Sequence, residues 1–260
     1  MIKVTAVIKA RNETRQLKDC LDSLKNFATE IIIVDDNSDD GTADLARSLG
    51  AKVITIANRG DRPLEWLDTH GFKAAEGDWI VQMDADERMT PLLAAKLSGI
   101  AVTGAYSGVR FARRNIIWGA WIRYGGWFVA DQLRFFKRSA FDESWDCGIH
   151  TQPLIKGEIR TLPAHENFAT IHLDYDNVEQ FVRRTLLNYA KTEALMQYRG
   201  GKRFSMVRLV VKPWVKLVGR YIVRQGFRDG VRGLALAVFL ALYAFIIEMH
   251  LWDFARKDQT

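Results

Sequence analysis

The sequence predicts an α/β protein: a doubly wound, mostly parallel sheet with a mixed second half and a helical appendage at its end. Three observations predict it. Short apolar runs alternate with amphipathic stretches over the first hundred residues, the order that produces parallel sheets. One of those runs, Ile31-Ile32-Ile33-Val34, is β-branched throughout, as suits a strand buried on both faces. After Pro91 the alternation gives way to clustered aromatic and branched residues, and from Gly201 to basic and apolar residues at helical spacing.

Residues 4–8 form the first apolar strand, and Lys9-Ala10-Arg11-Asn12-Glu13-Thr14 is the polar loop after it. A helix follows with Leu17, Cys20, Leu21 and Leu24 on one face, running to about Phe27. The strand at 31–34 ends in Asp35-Asp36-Asn37-Ser38-Asp39-Asp40-Gly41-Thr42, a loop that caps a helix at 43–49. A third strand covers 53–56, a helix 64–75 and a fourth strand 79–83. Extended segments are expected at 106–112, 116–124 and 131–138, and a helix at 178–198. The organisation predicted is a catalytic-sized domain over 1–200, with halves 1–98 and 99–200, and a basic, apolar helical region over 201–260.

Composition narrows the class. A hydrophobic content of 48% with 26% charged residues is that of a folded globular chain. Cys20 and Cys147 give neither a disulfide framework nor metal-ligand spacing, so a reducing compartment is expected. The first eight residues read as a strand and not as a signal peptide, which points to the cytosol. The net charge of +6 is unevenly spread. From Gly201 onward eleven Lys and Arg face four Asp and Glu, so an anionic partner is expected for the tail alone.

Within that tail Arg208, Lys212, Lys216, Arg220, Arg224, Arg228 and Arg232 recur every fourth residue, with Val, Leu, Ile and Trp between them. Pro213, Gly219 and Gly226 predict kinks or two helices. The uncharged run 234–247 is shorter than the roughly 20 residues that span a bilayer. An element lying in a membrane interface is the leading expectation. A solvated basic face over a core helix, or a dimer contact, is the plainer one.

The chemistry concentrates at the end of the fourth strand. Asp84 and Asp86, two residues apart, appear just where Trp79-Ile80-Val81-Gln82-Met83 should stop, and the carboxyl ends of strands are where open α/β sheets bind ligands. Such oxygen ligands suit Mg²⁺ or Mn²⁺ shared with substrate phosphate. No Gly-x-x-x-x-Gly-Lys-Ser/Thr occurs, which excludes a P-loop. No nucleic-acid-binding module is recognisable.

Four pieces stand in order: Ala10-Arg11-Asn12-Glu13, the acidic loop 35–42, Gly77-Asp78-Trp79 and Asp84-Ala85-Asp86-Glu87. Together they resemble the inverting family 2 glycosyltransferases of the GT-A fold. Asp131-x-Leu133-Arg134-x-Phe136-x-Arg138, His150, His172 and Arg228-Asp229-Gly230-x-x-Gly233 are similar to the bacterial branch that extends lipopolysaccharide cores.

The resemblance implies that Asp36 reads the base of a nucleotide sugar and that Ala10, Arg11 and Glu13 line its nucleoside. It implies that Asp84 contacts the ribose or a metal-bound water and that Asp86 binds Mn²⁺ or Mg²⁺. It implies uridine as the base that fits Asp36 best, although one carboxylate also accepts from guanine. Arg59 and Arg62 could add charge to the diphosphate, or be a solvated loop. Asp131 fits the place of the acceptor's general base. Where many relatives carry His-Glu, this chain has His150-Thr151, which leaves Asp131 alone or shifts the work to Glu166. His150 and His172 are either metal ligands or hydrogen-bonded structural residues. Arg134 and Arg138 are candidates to hold phosphate or orient the acceptor. Trp118, Trp121, Trp127 and Phe128 are either a stacking platform for an acceptor sugar or core.

The function expected is metal-dependent, inverting sugar transfer from a nucleotide-sugar donor to a glycolipid or lipopolysaccharide-type acceptor. The protein would sit peripherally on the cytoplasmic face of the cell membrane through 201–260. A polyprenyl-phosphate glycosyltransferase shares the donor site and is the nearest alternative. A non-catalytic membrane scaffold on a decayed transferase fold is the alternative of another class.

Overall fold

The computed structural model describes residues 2–57, 65–129, 132–145 and 151–258. Arg59, Arg62, Asp131, Cys147 and His150 therefore lie outside the described residues. The chain divides into two compact units, Met1–Arg113 with Val129–His172, and Arg114–Phe128 with Leu173–Thr260.

The strands in chain order are β1 Val4–Ala10, β2 Glu30–Asp35, β3 Lys52–Thr55, β4 Trp79–Asp84, β5 Glu87–Arg88, β6 Gly108–Ile117, β7 Ala120–Trp121, β8 Gln132–Lys137, β9 Ile159–Thr161 and β10 Ala169–Tyr175. The sheet runs β3-β2-β1-β4-β8-β6-β10-β5. Its first four members are parallel, and β8 joins β4 antiparallel. The expected parallel half and mixed extension are both present.

Alternation along β1 explains the double winding. Val4, Ala6, Ile8 and Ala10 face one core with Leu17, Cys20, Leu21 and Leu24 of α1 (Thr14–Leu24). Val7, with Ile32, Val34 and Ile80, faces the other core with Leu67 and Phe72 of α3 (Glu65–Ala74). Side chains alternating at period two let one strand serve helices on both faces. At Gly71 α3 comes so close that an added Cβ would lie 2.2 Å from Val7 Cγ1. Helix α2, Thr42–Ser48, follows the acidic loop as expected.

One helix and three strands have no counterpart in the sequence reading. They are α4, Pro91–Thr103, and the strands β5, β9 and β10. The signals for α4 are in the chain: Pro91 at its first position and Gly104 beyond its end, at φ 63°.

In the second unit, β6 and β7 close a hairpin through Trp118 and Gly119, at φ 52° and 74°. That is the backbone a two-residue turn between twisted strands needs. The helix expected at 178–198 runs as α5 (Val178–Phe181), a π-helical stretch Val182–Tyr189 and α6 (Ala190–Arg199). The tail forms α7 (Met206–Val218), a π turn Gly219–Val223 and α8 (Gly230–Lys257). It splits near Gly219 and Gly226, as those glycines predict, while Pro213 stays inside α7. Ala190 and Ala194 pack with Ile247 and Leu251. Residues 173–200 thus share a core with the tail, whereas the sequence reading placed the boundary at 200.

Candidate donor and metal site

The loops after β1 and β2 are laced together. Ala10 lies beside Asp35 in register, so both strand ends open on the same edge of the sheet. The Asn12 amide N–H donates to Ser38 Oγ at 3.0 Å, and the Asp39 N–H donates to Asn12 Oδ1 at 3.0 Å. The Glu13 N–H donates to Thr42 Oγ1 at 2.8 Å, and Asp40 accepts from the Thr14 hydroxyl at 2.8 Å. Asn12 and Asn37 take left-handed backbones at φ 57° and 48°, which asparagine tolerates better than most residues. Asp36 is 3% exposed, and Arg11 Nη1 donates to it at 3.2 Å. The structure therefore gathers Ala10, Arg11, Glu13 and Asp36 in one cup.

Beside that cup lies a charge network. Lys9 pairs in register with Asp84 on the adjacent parallel strand, which puts their side chains on the same face. Lys9 Nζ is 2.6 Å from Asp84 and 3.3 Å from Asp68, a fully buried residue of α3. Gln82 Nε2 donates to Asp68 at 2.7 Å. Glu87, also fully buried, accepts the Asp84 N–H at 3.0 Å and Arg134 Nη1 at 2.6 Å. Arg134 Nη2 reaches Asp84 at 3.0 Å, and Arg113 Nη1 lies 3.3 Å from both Asp84 and Glu87. Three cations thus compensate three anions.

The electrostatics follow from this packing. Burial pushes the Asp84 carboxyl up, but Lys9, Arg134 and Arg113 outweigh it and hold it well below the usual carboxylate range. At Asp68 burial, joined by the charge of Asp84, prevails over Lys9 and Arg134 and raises the carboxyl to about 6. Burial opposes the charge of Lys9 too, yet Asp68 and Asp84 win and keep it protonated. Cys20 donates weakly to the Asp84 carbonyl at 3.6 Å; burial raises its thiol, which makes it a packing residue and not a nucleophile.

The turn from β4 into β5 then presents Asp86. β5 pairs with β10 so that Glu87 lies opposite His172. This brings His172 Nε2 to 3.4 Å from Asp86, both residues being buried. Ligand atoms of Asp84, Asp86 and His172 all lie within 4.8 Å of one another. Two carboxylates and an imidazole are a donor set that Mn²⁺ and Mg²⁺ accept, Mn²⁺ taking the nitrogen more readily.

The other expected residues fall differently. Arg134 is turned inward, into the Glu87 and Asp84 pairs, and Arg138 Nε donates to the Gly77 carbonyl at 3.1 Å. Arg134 is thereby engaged within the charge network, whereas Arg138 is exposed. Glu166 is exposed in a short 3-10 turn just ahead of β10. Trp118 packs on Phe181 and Phe239 at 6.0 and 6.2 Å, and Trp127 joins that core. Trp121 stands edge-on to Phe128 at 5.2 Å, with the Arg123 guanidinium 4.0 Å over its ring. The sequence reading assigned no role to Lys9, Asp68, Glu87 or Arg113. A lone lysine at the end of an apolar strand, and a lone aspartate among Trp66, Leu67 and Phe72, are the signals that mark the first two.

Comparison with known proteins agrees with the fold. An uncharacterized glycosyltransferase of Rickettsia felis is 37% identical over 95% of this chain and 88% of its own. The lipopolysaccharide core biosynthesis glycosyltransferase LpsC of Rhizobium meliloti is 26% identical over 94% of this chain and 90% of its own. Among solved structures, glucosyl-3-phosphoglycerate synthase from Mycobacterium tuberculosis, in complex with Mn²⁺, UDP-glucose and phosphoglyceric acid, has the same GT-A fold. It superposes with a TM-score of 0.50 over 78% of this chain and 81% of that one, at 16% identity. The glycosyl transferase family 2 profile matches residues 5–154, more than half of the chain. By that match this chain belongs to glycosyl transferase family 2, and it is a glycosyltransferase.

Proposed function

We propose that this glycosyltransferase moves a sugar, with inversion, from a uridine diphosphate sugar to a glycolipid of the lipopolysaccharide-core type at a membrane surface. The observation that carries the reading is the placing of Asp84, Asp86 and His172 at the carboxyl end of β4, in the same unit as the Asp36–Arg11 cup. Asp86 and His172 would hold Mn²⁺ or Mg²⁺ directly. Asp84 already has Lys9, Arg113 and Arg134 around it, so it is better suited to the ribose or to a water on the ion. A divalent ion there supplies Lewis-acid neutralisation of the departing diphosphate.

The remaining work falls to the chain's own residues. Asp36 accepts from the base, and the Ala10 to Glu13 backbone lines the nucleoside. Asp131, immediately ahead of β8, would take the acceptor hydroxyl's proton; Glu166 is the second candidate. Inversion by direct displacement needs no covalent sugar–enzyme intermediate, so no nucleophile is assigned. LpsC supports the acceptor class, and the Mn²⁺ and UDP-glucose complex of a structure with this fold supports the donor and ion.

The test is transfer itself. Purified protein is incubated with UDP-, GDP- and dTDP-sugars, Mn²⁺ and lipid-linked core oligosaccharide, and the new linkage is read by NMR. A product of inverted anomeric configuration from a UDP-sugar is the result expected. Transfer only to a polyprenyl phosphate, unaffected by Asp131→Asn, would replace the acceptor assignment. No transfer from any nucleotide sugar would end the reading.

A further inference from the structure

The tail does not present its charges as its sequence implies. Arg208 and Lys212 turn into the helix pair and meet the fully buried Glu248 of α8 at 2.9 and 3.2 Å. Arg220 Nη1 donates to the Gly125 carbonyl at 2.7 Å, and Arg232 donates to the Trp118 carbonyl at 3.1 Å. Much of the every-fourth-residue basic row is thus the fastening of the second unit.

What faces outward is apolar. On α7 and the π turn after it, Val207, Val210, Trp214, Val218 and Ile222 recur three or four apart and are all exposed, Trp214 by 65%. On α8 a second exposed stripe follows the same spacing: Val231, Leu234, Val238, Leu242, Phe245 and Met249. A helix on a water-facing surface has the opposite arrangement. Two such stripes exceed what scattered surface residues explain.

We infer that α7 and α8 lie in the plane of a bilayer surface, with these stripes set into the acyl boundary of one leaflet. The inference rests on the membrane-surface acceptor proposed above and names the part of the protein that makes the contact.

Charge decides between lipid and a second copy of the chain. The second unit carries seventeen Lys and Arg against eight Asp and Glu, and Lys216, Arg224 and Arg228 are exposed among or beside the stripes. This fringe repels another copy and attracts anionic headgroups.

Packing decides between lying and spanning. The 28 residues of α8 measure about 42 Å, enough to cross a bilayer. Yet Leu236, Ala237, Ala244, Ile247 and Leu251 on its other side are buried, the last two against α6. α6 carries Lys191, Glu193, Gln197 and Arg199, so polar protein, and not lipid, runs along that flank. An element apolar on one side and protein-bound on the other belongs in the interface.

The test is vesicle co-sedimentation of the full chain, with Val210→Glu/Val218→Glu as the variant. Both positions are exposed, so folding is retained and is checked by circular dichroism. Wild type should sediment with phosphatidylcholine vesicles that contain phosphatidylglycerol and less with phosphatidylcholine alone. The variant should partition about tenfold more weakly or worse. Wild type left in the supernatant with the anionic vesicles, or a variant that binds as wild type does, overturns the inference. So does a dimer seen by light scattering that the variant dissociates, without vesicle binding, since a second copy would then cover the stripes. UDP titration with Mn²⁺ on the same samples separates the two readings. Vesicle binding without nucleotide binding rejects the donor assignment and leaves this inference standing.

Discussion

Lys9 and Asp84 sit side by side in register on parallel strands, 2.6 Å apart, at the point where the sheet opens onto its ligand edge. The pair belongs to a balanced set, because Lys9 also serves Asp68 while Arg113 and Arg134 serve Asp84 and Glu87. Removing one cation leaves buried anions uncompensated, which is far costlier than the pair is worth as a whole. Lys9→Met should therefore lose about 3 kcal/mol or more of stability in urea unfolding. Adding Asp68→Asn should restore part of it. A Lys9→Met protein as stable as wild type would mean that the network does not hold the strand ends.

Glu87 joins both flanks of the metal cluster. Its carboxylate takes the Asp84 N–H and its backbone pairs with His172. Glu87→Gln keeps the shape but leaves Arg134 and Arg113 in excess. We expect a loss of about 3 kcal/mol, together with Mn²⁺-dependent nucleotide binding weakened roughly 10- to 100-fold, as for residues that orient ligands. Equilibrium unfolding and calorimetry read the two effects separately.

Asp40 ties α1 to the loop before α2. Desolvation pushes its carboxyl up, but hydrogen bonds from Thr42 and Thr14 outweigh it and hold it at about 2. A folded value below the ordinary 3.8 means that this stabilisation is present above pH 3.8 and is lost as pH falls through about 2. Asp40→Asn should thus be less stable at pH 7, by on the order of 1 kcal/mol because the site is exposed to solvent screening. Its deficit should vanish near pH 2. Thermal melts across pH check the sign; a deficit that grows in acid contradicts it.

Two glycines of the second unit should behave oppositely. A Cβ on Gly233 would lie 1.8 Å from the Gly226 carbonyl oxygen, with Asp229 close by. Asp229 in turn accepts the Tyr124 N–H at 2.8 Å. Gly233→Ala should lower the melting temperature steeply, by several degrees. Gly219 has helical angles and open space around its Cβ position, so Gly219→Ala should be neutral or stabilise by about 0.5–1 kcal/mol. Equal effects at both sites would contradict the packing described.

The sequence was most legible where one face of an element decides it. The β-branched run at Ile31–Val34 and the Leu17, Cys20, Leu21, Leu24 face are local patterns, and both elements formed. Ala10, Arg11, Glu13 and Asp36 stand in motifs at the ends of β1 and β2, and these two strand ends lie side by side. Three things were not local. His172 reaches Asp86 only through the pairing of β10 with β5, both too weakly patterned to be read as strands. Lys9, Asp68, Glu87 and Arg113 acquire their roles from one another, across four elements and an intervening loop. The basic row of the tail reads as a charged surface until Glu248, one acid in an apolar helix, is seen to turn Arg208 and Lys212 inward. Periodicity shows which residues share a face, not which way that face points.

The central claim is that Asp86, with His172, holds the ion that binds a nucleotide diphosphate. Calorimetry of UDP with Mn²⁺ and with chelator, on wild type and Asp86→Ala, tests it most directly. The account predicts Mn²⁺-dependent UDP binding by wild type, abolished by chelator and by Asp86→Ala while the circular dichroism spectrum stays the same. UDP binding that is indifferent to both the ion and Asp86 would contradict it.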